Sequence, residues 1–304
     1  MNTPTTTASF HFFERGWLSS NNVLFIGPDE VTLVDSGYAS HAEQTLALVQ
    51  AHLNGRPLNR IVNTHLHSDH CGGNALLQQV FPDVETWIPP GHFEEVRAWD
   101  EDALTYRTTG QLCHRFSATH VLKPGMSLTA GGQTWEVHGA PGHDPHSIVL
   151  FEPEHRHLIS ADALWGNGFG VVFPELEGIH AFDEVAATLD AIERLNAVKV
   201  FPGHGSAFTD VPQALARARS RLNQFVQHPD KHMAYAAKVL LKFKLMEFQS
   251  LPLADFLRWA GMCPYLISIC PIAKTELEPW LMSLLDQLVH SGAAHIENQV
   301  IRNA

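Results

Sequence analysis

Four side chains able to bind a metal, His65, His67, Asp69 and His70, fall within six positions of the stretch Ile61-Val62-Asn63-Thr64-His65-Leu66-His67-Ser68-Asp69-His70-Cys71-Gly72-Gly73-Asn74. A cluster of this kind can hold divalent cations, and a bound cation brings the pKa of water down toward ~7, so no serine or cysteine nucleophile is needed. The β-branched pair Ile61-Val62 predicts a strand, in which residues two apart point the same way and His65 and His67 share a face. Gly72-Gly73 predicts the end of that strand, with Asp69 and His70 turning into the same cleft from a loop. The competing reading is a histidine-rich surface turn, because 20 histidines in one chain will sometimes cluster by chance.

Three later segments offer the same donor types. Gly139-Ala140-Pro141-Gly142-His143-Asp144-Pro145-His146-Ser147 places His143 after a Pro-Gly turn at an expected strand end. Ala161-Asp162-Ala163-Leu164-Trp165-Gly166 places Asp162 after another apolar strand, where an aspartate is also an ordinary helix cap. Pro202-Gly203-His204-Gly205 ends a third strand, and its glycines let the backbone approach a crowded centre. Taken in this order, the motifs resemble those of the metallo-β-lactamase superfamily over residues 10–210.

That resemblance implies a four-layered αβ/βα sandwich, an α/β fold, with up to two metals at one edge. It implies that His65, His67 and His143 hold one ion, that Asp69, His70 and His204 hold the other, and that Asp162 bridges them. Nitrogen and oxygen donors without thiolate suit two Zn ions, and Fe or Mn as well. Asp35, which on spacing alone reads as a helix cap or Asx-turn, becomes by resemblance a residue behind the cluster that orients a ligand. The implied activity is hydrolysis by a metal-bound hydroxide, with Asp69 also passing a proton to the leaving group. An aspartate at position 162 points to the thioesterase, lactonase and phosphodiesterase branches and away from true β-lactamases. With no large nucleic-acid-binding element, a small ester, thioester or lactone is the expected substrate. Two rivals share the fold: a mononuclear iron sulfur dioxygenase and a non-catalytic metal-binding regulator.

The elements that must position these residues follow from local pattern. Short apolar runs at Phe10 to Phe13, Val23 to Ile26 and Val31 to Val34 predict strands, two of them joined by a turn at Gly27-Pro28-Asp29. Helical spacing predicts a helix from His41 to Leu53, stopped by Asn54-Gly55, so a βαβ unit delivers the motif strand. Ligands of open α/β sheets lie beyond the carboxyl ends of such strands. Asn74 to Val80 reads as a helix and Val84 to Ile88 as a strand. Gly131-Gly132 marks a hairpin, Ile148 to Phe151 and His157 to Ser160 are strands, Phe182 to Leu195 is a helix, and Val198 to Phe201 is a strand. Residues 91–120, rich in Glu and Asp, read as a solvated helical insertion or a lid over the cleft.

After Pro212 the sheet pattern stops. A catalytic domain at 1–211 and a helical C-terminal domain at 212–304 are expected. Helices at 212–226, 232–248, 251–260 and 275–290 and a short β-like end resemble the winged-helix-like tail of some superfamily hydrolases. The last helix carries no Lys or Arg to enter a nucleic-acid groove, and the formal charge of -12 repels polyanions. The one basic cluster, Lys238, Lys242 and Lys244, is a solvated face or a contact for an anionic substrate. The expected partner is a small molecule, with no nucleic acid and no membrane, and the tail is expected to wall the substrate pocket or join copies into a homo-oligomer. Four cysteines without a C-x-x-C pair, and no basic, apolar leader in Met1 to Thr7, point to a reducing, cytoplasmic setting.

Overall fold

The computed structural model describes residues 9–270 and 276–304. The expectations for Met1 to Thr7 and for a helix beginning at Thr275 therefore lie outside the described residues. A six-stranded sheet carries β1 (Ser9–Phe13), β2 (Asn22–Ile26), β3 (Val31–Val34), β4 (Arg60–Val62), β5 (Glu85–Ile88) and β6 (His120–Val121) in spatial order. Its first two pairings are antiparallel and the remaining three parallel. A five-stranded sheet runs β11-β10-β9-β8-β7, with β7 (Ser127–Ala130), β8 (Gln133–Gly139), β9 (Ile148–Glu152), β10 (His157–Ala161) and β11 (Lys199–Pro202).

β2 and β3 of the first sheet and β9 of the second are buried along their whole length, so each sheet must be covered on both faces. Between the sheets, Phe25, Val34 and Val62 meet Trp135, Val137, Leu150, Ile159 and Phe201. On the outer face of the first sheet, Leu24, Leu33 and Ile61 pack with Val49 and Leu53 of α1 (Ala42–Leu53) and Leu77 of α3 (Asn74–Val80), beyond the one-turn α2 (Ser68–Cys71). On the outer face of the second, Val149, Leu158 and Val200 pack with Val185, Leu189 and Ile192 of a later helix (Phe182–Leu195), each such side chain contributing about 1.5–3 kcal/mol. This is the expected four-layered sandwich, and both motif-bearing ends open on one edge.

The helix Val211–Gln227 buries Ala214, Leu215, Ala218, Leu222 and Phe225 in that same outer cluster. The chain then forms a long helix, Pro229–Phe248, a strand Ser250–Pro252, helices Leu253–Ala260, Pro264–Ile269 and Leu277–His290, and strands Ala294–Glu297 and Val300–Asn303. The three strands make an antiparallel sheet in which the last lies centrally. Leu251 and Pro252, expected at the start of a helix, pair with Ile301 and Val300 instead. Leu240, Leu241, Leu245, Phe256, Leu266, Leu281, Leu284 and Leu285 form the core of this tail, and Val171 and Leu176 of the sandwich are part of it.

Residues 91–120 are neither a plain solvated insertion nor a free lid. Val96, Leu104, Tyr106, Cys113 and Phe116 are buried against Leu66 and Cys71 under the motif loop. Tyr106 donates its hydroxyl to Leu66 O at 3.0 Å, and Ser68 donates to Gln111 Oε1 at 2.6 Å. The acidic residues that suggested a solvated helix sit on the outside of this buttress.

Candidate metal centre

The motif strand is shorter than Ile61-Val62-Asn63-Thr64-His65 suggests: β4 stops at Val62. The cause lies in Asp35, which leaves β3 with φ +56 and whose carboxylate accepts from Thr64 N at 2.9 Å and Thr64 Oγ1 at 2.8 Å. Those bonds take Thr64 out of the ladder, so His65 and His67 come from a loop. Asp69 and His70 come from the helical turn Ser68–Cys71. Gly72 and Gly73 have ordinary negative φ; what they provide is space, because a Cβ would lie 2.5 Å from Ala39 N or 2.4 Å from Ser36 O.

All seven residues expected as ligands converge. His143 Nε2 lies 3.3 Å from His65 Nε2 and 2.8 Å from His67 Nδ1. Asp69 Oδ2 lies 3.0 Å from His204 Nε2 and 3.9 Å from His70 Nε2. Asp162 stands between the two groups, with Oδ1 3.3 Å from His70 Nε2 and Oδ2 3.4 Å from His143 Nε2 and 3.8 Å from His204 Nε2. Asp162 follows Ala161, held at φ +46 where the β10–β11 register shifts, so backbone strain turns the aspartate inward. Gly203 leaves it room, since a Cβ there would stand 2.2 Å from Asp162 Oδ1.

Hydrogen-bond partners fix which nitrogens are free. Val171 O can only accept, so the 2.5 Å contact puts a proton on His143 Nδ1 and leaves Nε2 as a lone pair. Asp35 Oδ2, 2.8 Å from His70 Nδ1, likewise holds a proton on that nitrogen and turns Nε2 toward the centre. His70 Nε2 is then buried without a hydrogen-bond partner, its neighbour Asp162 Oδ1 lying off the direction such a bond requires. Facing the carboxylates of Asp162 and Asp69, this nitrogen calls for a cation, either a proton or a metal ion, and with the neighbouring neutral imidazoles the donor set fits a bound metal.

The electrostatics divide the cluster. Burial, reinforced by the neighbouring imidazoles, holds His65 well below the ordinary histidine pKa and His67 at about 4, which keeps both neutral and able to donate lone pairs. For His70 burial pulls the same way, but Asp35, Asp162 and Asp69 outweigh it and raise its pKa well above 6.5. Burial would raise Asp162, yet His204 and His70 hold it well below the usual carboxylate range, and Asp69 is lowered by His70 and His204 against the same opposition.

Several residues of the centre carried no recognisable signal in the sequence. Trp17 stacks on His204 with ring centroids 5.2 Å apart and planes within 5°, while remaining 54% exposed. Asn21 fastens the His204 loop by donating its backbone N–H to Gly203 O at 2.7 Å and its side-chain amide to Pro202 O and Gly205 O. Trp165 donates Nε1–H to Asp162 Oδ1 at 3.2 Å, and Phe173 sets its ring against His67 at 4.7 Å. Val172 N donates to Nε2 of the fully buried His232, from the long tail helix, at 3.2 Å.

Above the cluster lies a cleft of about 460 Å³. Its floor is His67, Asp69, His143, Asp162 and His204, and one wall is the tail helix face Tyr235, Lys238, Val239, Lys242, Phe243 and Met246. The tail helix thus lines the cleft above the cluster.

A family model described as Metallo-beta-lactamase superfamily matches residues 15–204. A beta-lactamase-like protein 2 homolog from Caenorhabditis elegans is 27% identical, covering 73% of this chain and 66% of its own. A hydroxyacylglutathione hydrolase from Synechococcus sp. is 33% identical, covering 52% of this chain and 53% of its own. The chain thus spans between half and two thirds of the length of these curated relatives. Among solved structures, a metallo-beta-lactamase family protein from Thermus thermophilus shares the fold at TM-score 0.56 and 18% identity, over 98% of this chain and 99% of that one. TTHA1623, solved in a di-iron-bound form, aligns at TM-score 0.55 and 25% identity over 68% of this chain and 98% of that one.

Proposed function

The chain belongs to the metallo-beta-lactamase superfamily, and on that premise we propose that it is a dinuclear metal hydrolase of small esters, thioesters or lactones. His65, His67 and His143 would hold one ion and Asp69, His70 and His204 the second, with Asp162 within reach of both groups. The observation that carries this reading is the convergence of these seven side chains in three overlapping groups, each with its ligand atoms within 4.8 Å of one another. When bound, the ions supply Lewis acidity and make water a nucleophile near neutral pH. Zn suits the donors best, and Fe or Mn would also be accepted.

The chain's own residues do the rest. Asp35 holds a proton on His70 Nδ1, and Val171 O holds one on His143 Nδ1, so both rings present Nε2 to the cleft, where it would bind an ion. In the net reaction the acyl–sulfur or acyl–oxygen bond breaks, water's oxygen joins the carbonyl carbon, and a proton leaves with the thiol or alcohol. Asp69, at the cleft surface, is placed to carry that proton. The sandwich, residues 1–211, is proposed as the catalytic domain and residues 212–304 as a tail that walls the cleft. The name of the hydroxyacylglutathione hydrolase relative supports a thioester among the substrates.

The test is elemental analysis with a panel of thioesters, lactones, phosphodiesters and β-lactams. Two ions per chain and chelator-sensitive turnover of esters, thioesters or lactones are expected. One Fe per chain with oxygen uptake, or turnover confined to β-lactams, would overturn the proposal.

A further inference from the structure

The three lysines of the tail, treated as one cluster in the sequence, have different surroundings. Lys244 pairs with Glu247 at 2.9 Å and lies over the Trp259 ring. Lys242 is taken up by three oxygens of the chain's end, Ala293 O, Asn303 Oδ1 and Ala304 O, at 2.6–2.9 Å. Lys238 has one neutral partner, Gln287 Oε1 at 3.2 Å, and no carboxylate within ion-pair distance among the described residues. It lines the cleft. Of these three lysines, Lys238 is the one that lines the candidate active site with neither a carboxylate nor a set of carbonyl oxygens to occupy it, which leaves its ammonium available to a ligand in the cleft.

What surrounds it sets the rest of that ligand. Residues 235, 238, 239, 242, 243 and 246 follow one face of the helix at spacings of three and four, so Tyr235, Val239, Phe243 and Met246 form an apolar strip beside Lys238. Leu288 and Val171 extend that strip, and Phe173 joins it to His67 on the floor. A cleft of about 460 Å³ is within the ordinary range for a small organic ligand, and apolar walls with few polar groups set orientation through those groups.

We propose that the substrate is a hydrophobic ester or thioester that carries an anionic group, with its apolar part along the Tyr235 to Met246 strip and its anion on Lys238. This rests on the hydrolase reading above and narrows it. A neutral substrate would leave the Lys238 charge without a counterion as the cleft desolvates, whereas an anion forms a charge-assisted hydrogen bond there. The anion can belong to either side of the scissile bond, and the two cases are separable.

The experiment compares three hexanoyl-sized thioesters on the metal-loaded full chain: hexanoyl-3-mercaptopropionate, with the anion on the thiol; the adipoyl half-thioester of N-acetylcysteamine, with the anion on the acyl group; and neutral hexanoyl-N-acetylcysteamine. At least one anionic compound is expected to exceed the neutral one by about tenfold in kcat/KM, and Lys238→Met to collapse that ratio through KM while Lys238→Arg retains it. Lys238→Glu should invert it. Calorimetric binding of the uncleavable S-hexyl-3-mercaptopropionate thioether and its neutral N-acetylcysteamine counterpart separates recognition from chemistry. Lys238-dependent binding without any cleavage would end the hydrolase reading and keep the anion site. Equal turnover of all three, or a charge preference that survives Lys238→Met, would overturn the proposal and leave the hydrolase reading standing.

Discussion

The floor of the cleft and its tail wall are held by opposite means. The floor is polar and buried: His65 and His70 are fully covered, and the ring nitrogens of His65, His70 and His143 that face away from the centre are tied down by hydrogen bonds to Thr64, Asp35 and Val171 respectively. Its backbone is strained at Asp35 and Ala161, and the strain is local. The wall is one unstrained helical face with apolar side chains, held in place by the core that it shares with Val171 and Leu176. A floor built in this way fails when a single group is removed, because each group has few substitutes. A wall of packed side chains yields gradually, and loses affinity before it loses chemistry.

The sharpest way to break that contrast is to delete a ligand. His67→Ala and His204→Ala are each expected to lower kcat/KM by more than about 100-fold, the upper end of what removing a residue one step behind a metal costs. Circular dichroism should be unchanged, since both side chains sit on loops beyond the strand ends. Asp35→Asn comes next. It keeps the volume but removes the charge that fixes His70, and metal affinity measured by chelator competition should fall by about 10- to 100-fold. Wild-type affinity in Asp35→Asn would mean that the floor is less tightly specified than its hydrogen bonds imply.

The wall should give less. Ending the chain at His228 spares the helix Val211–Gln227, which packs on the sandwich, and removes the tail core. The truncated chain is expected to bind an apolar-surface dye and to raise KM by about tenfold, equal to about 1.4 kcal/mol of lost substrate contact. Its two-ion content should remain. Loss of the metals on truncation would show that the wall also holds the floor together.

The same contrast explains what could be read from the chain beforehand. The ligands were legible because each is a side chain with few structural uses, set beside glycine or proline at a strand end. His65, His67, Asp69, His70, His143, Asp162 and His204 were expected together, and the structure brings them together. The backbone that carries them was less legible. Thr64 leaves the ladder because of Asp35, 29 positions earlier, and no local pattern reports such a bond. Residues 91–120 looked solvated because their charges are contiguous, while the buried Leu104, Tyr106, Cys113 and Phe116 follow no helical or strand period. The tail helices were visible from their periodicity, but which face meets the cleft depends on Val171 and Leu176, elements of the other region. The strand 250–252 was hidden for the same reason, its partner lying at 300–302.

The smallest expected effect at neutral pH lies where wall and floor touch. His232, on the tail helix, accepts Val172 N–H on Nε2, and the adjacent Val171 C=O accepts from His143 Nδ1. Its own Nδ1–H is buried without a partner, among Phe182 and Phe225. His232→Phe leaves Val172 N–H unsatisfied, at about 1–3 kcal/mol, but also removes the orphaned donor, a gain of similar size. Near pH 7 the two should nearly cancel, and metal affinity should fall by less than about tenfold. Acid separates them. Burial lowers the His232 pKa from 6.5 to about 4, so between those values the unfolded chain binds a proton that the fold does not. Wild-type stability conferred by this neutral histidine is therefore full above pH 6.5 and lost as pH falls toward 4, by up to about 3 kcal/mol at about 1.4 kcal/mol per unit. The variant lacks that loss. Urea midpoints of the metal-free proteins from pH 7 to about 4.5 should therefore start close together and diverge, with His232→Phe the more acid-resistant; parallel curves would mean that His232 is reached by solvent and does not tie the tail to the His143 loop.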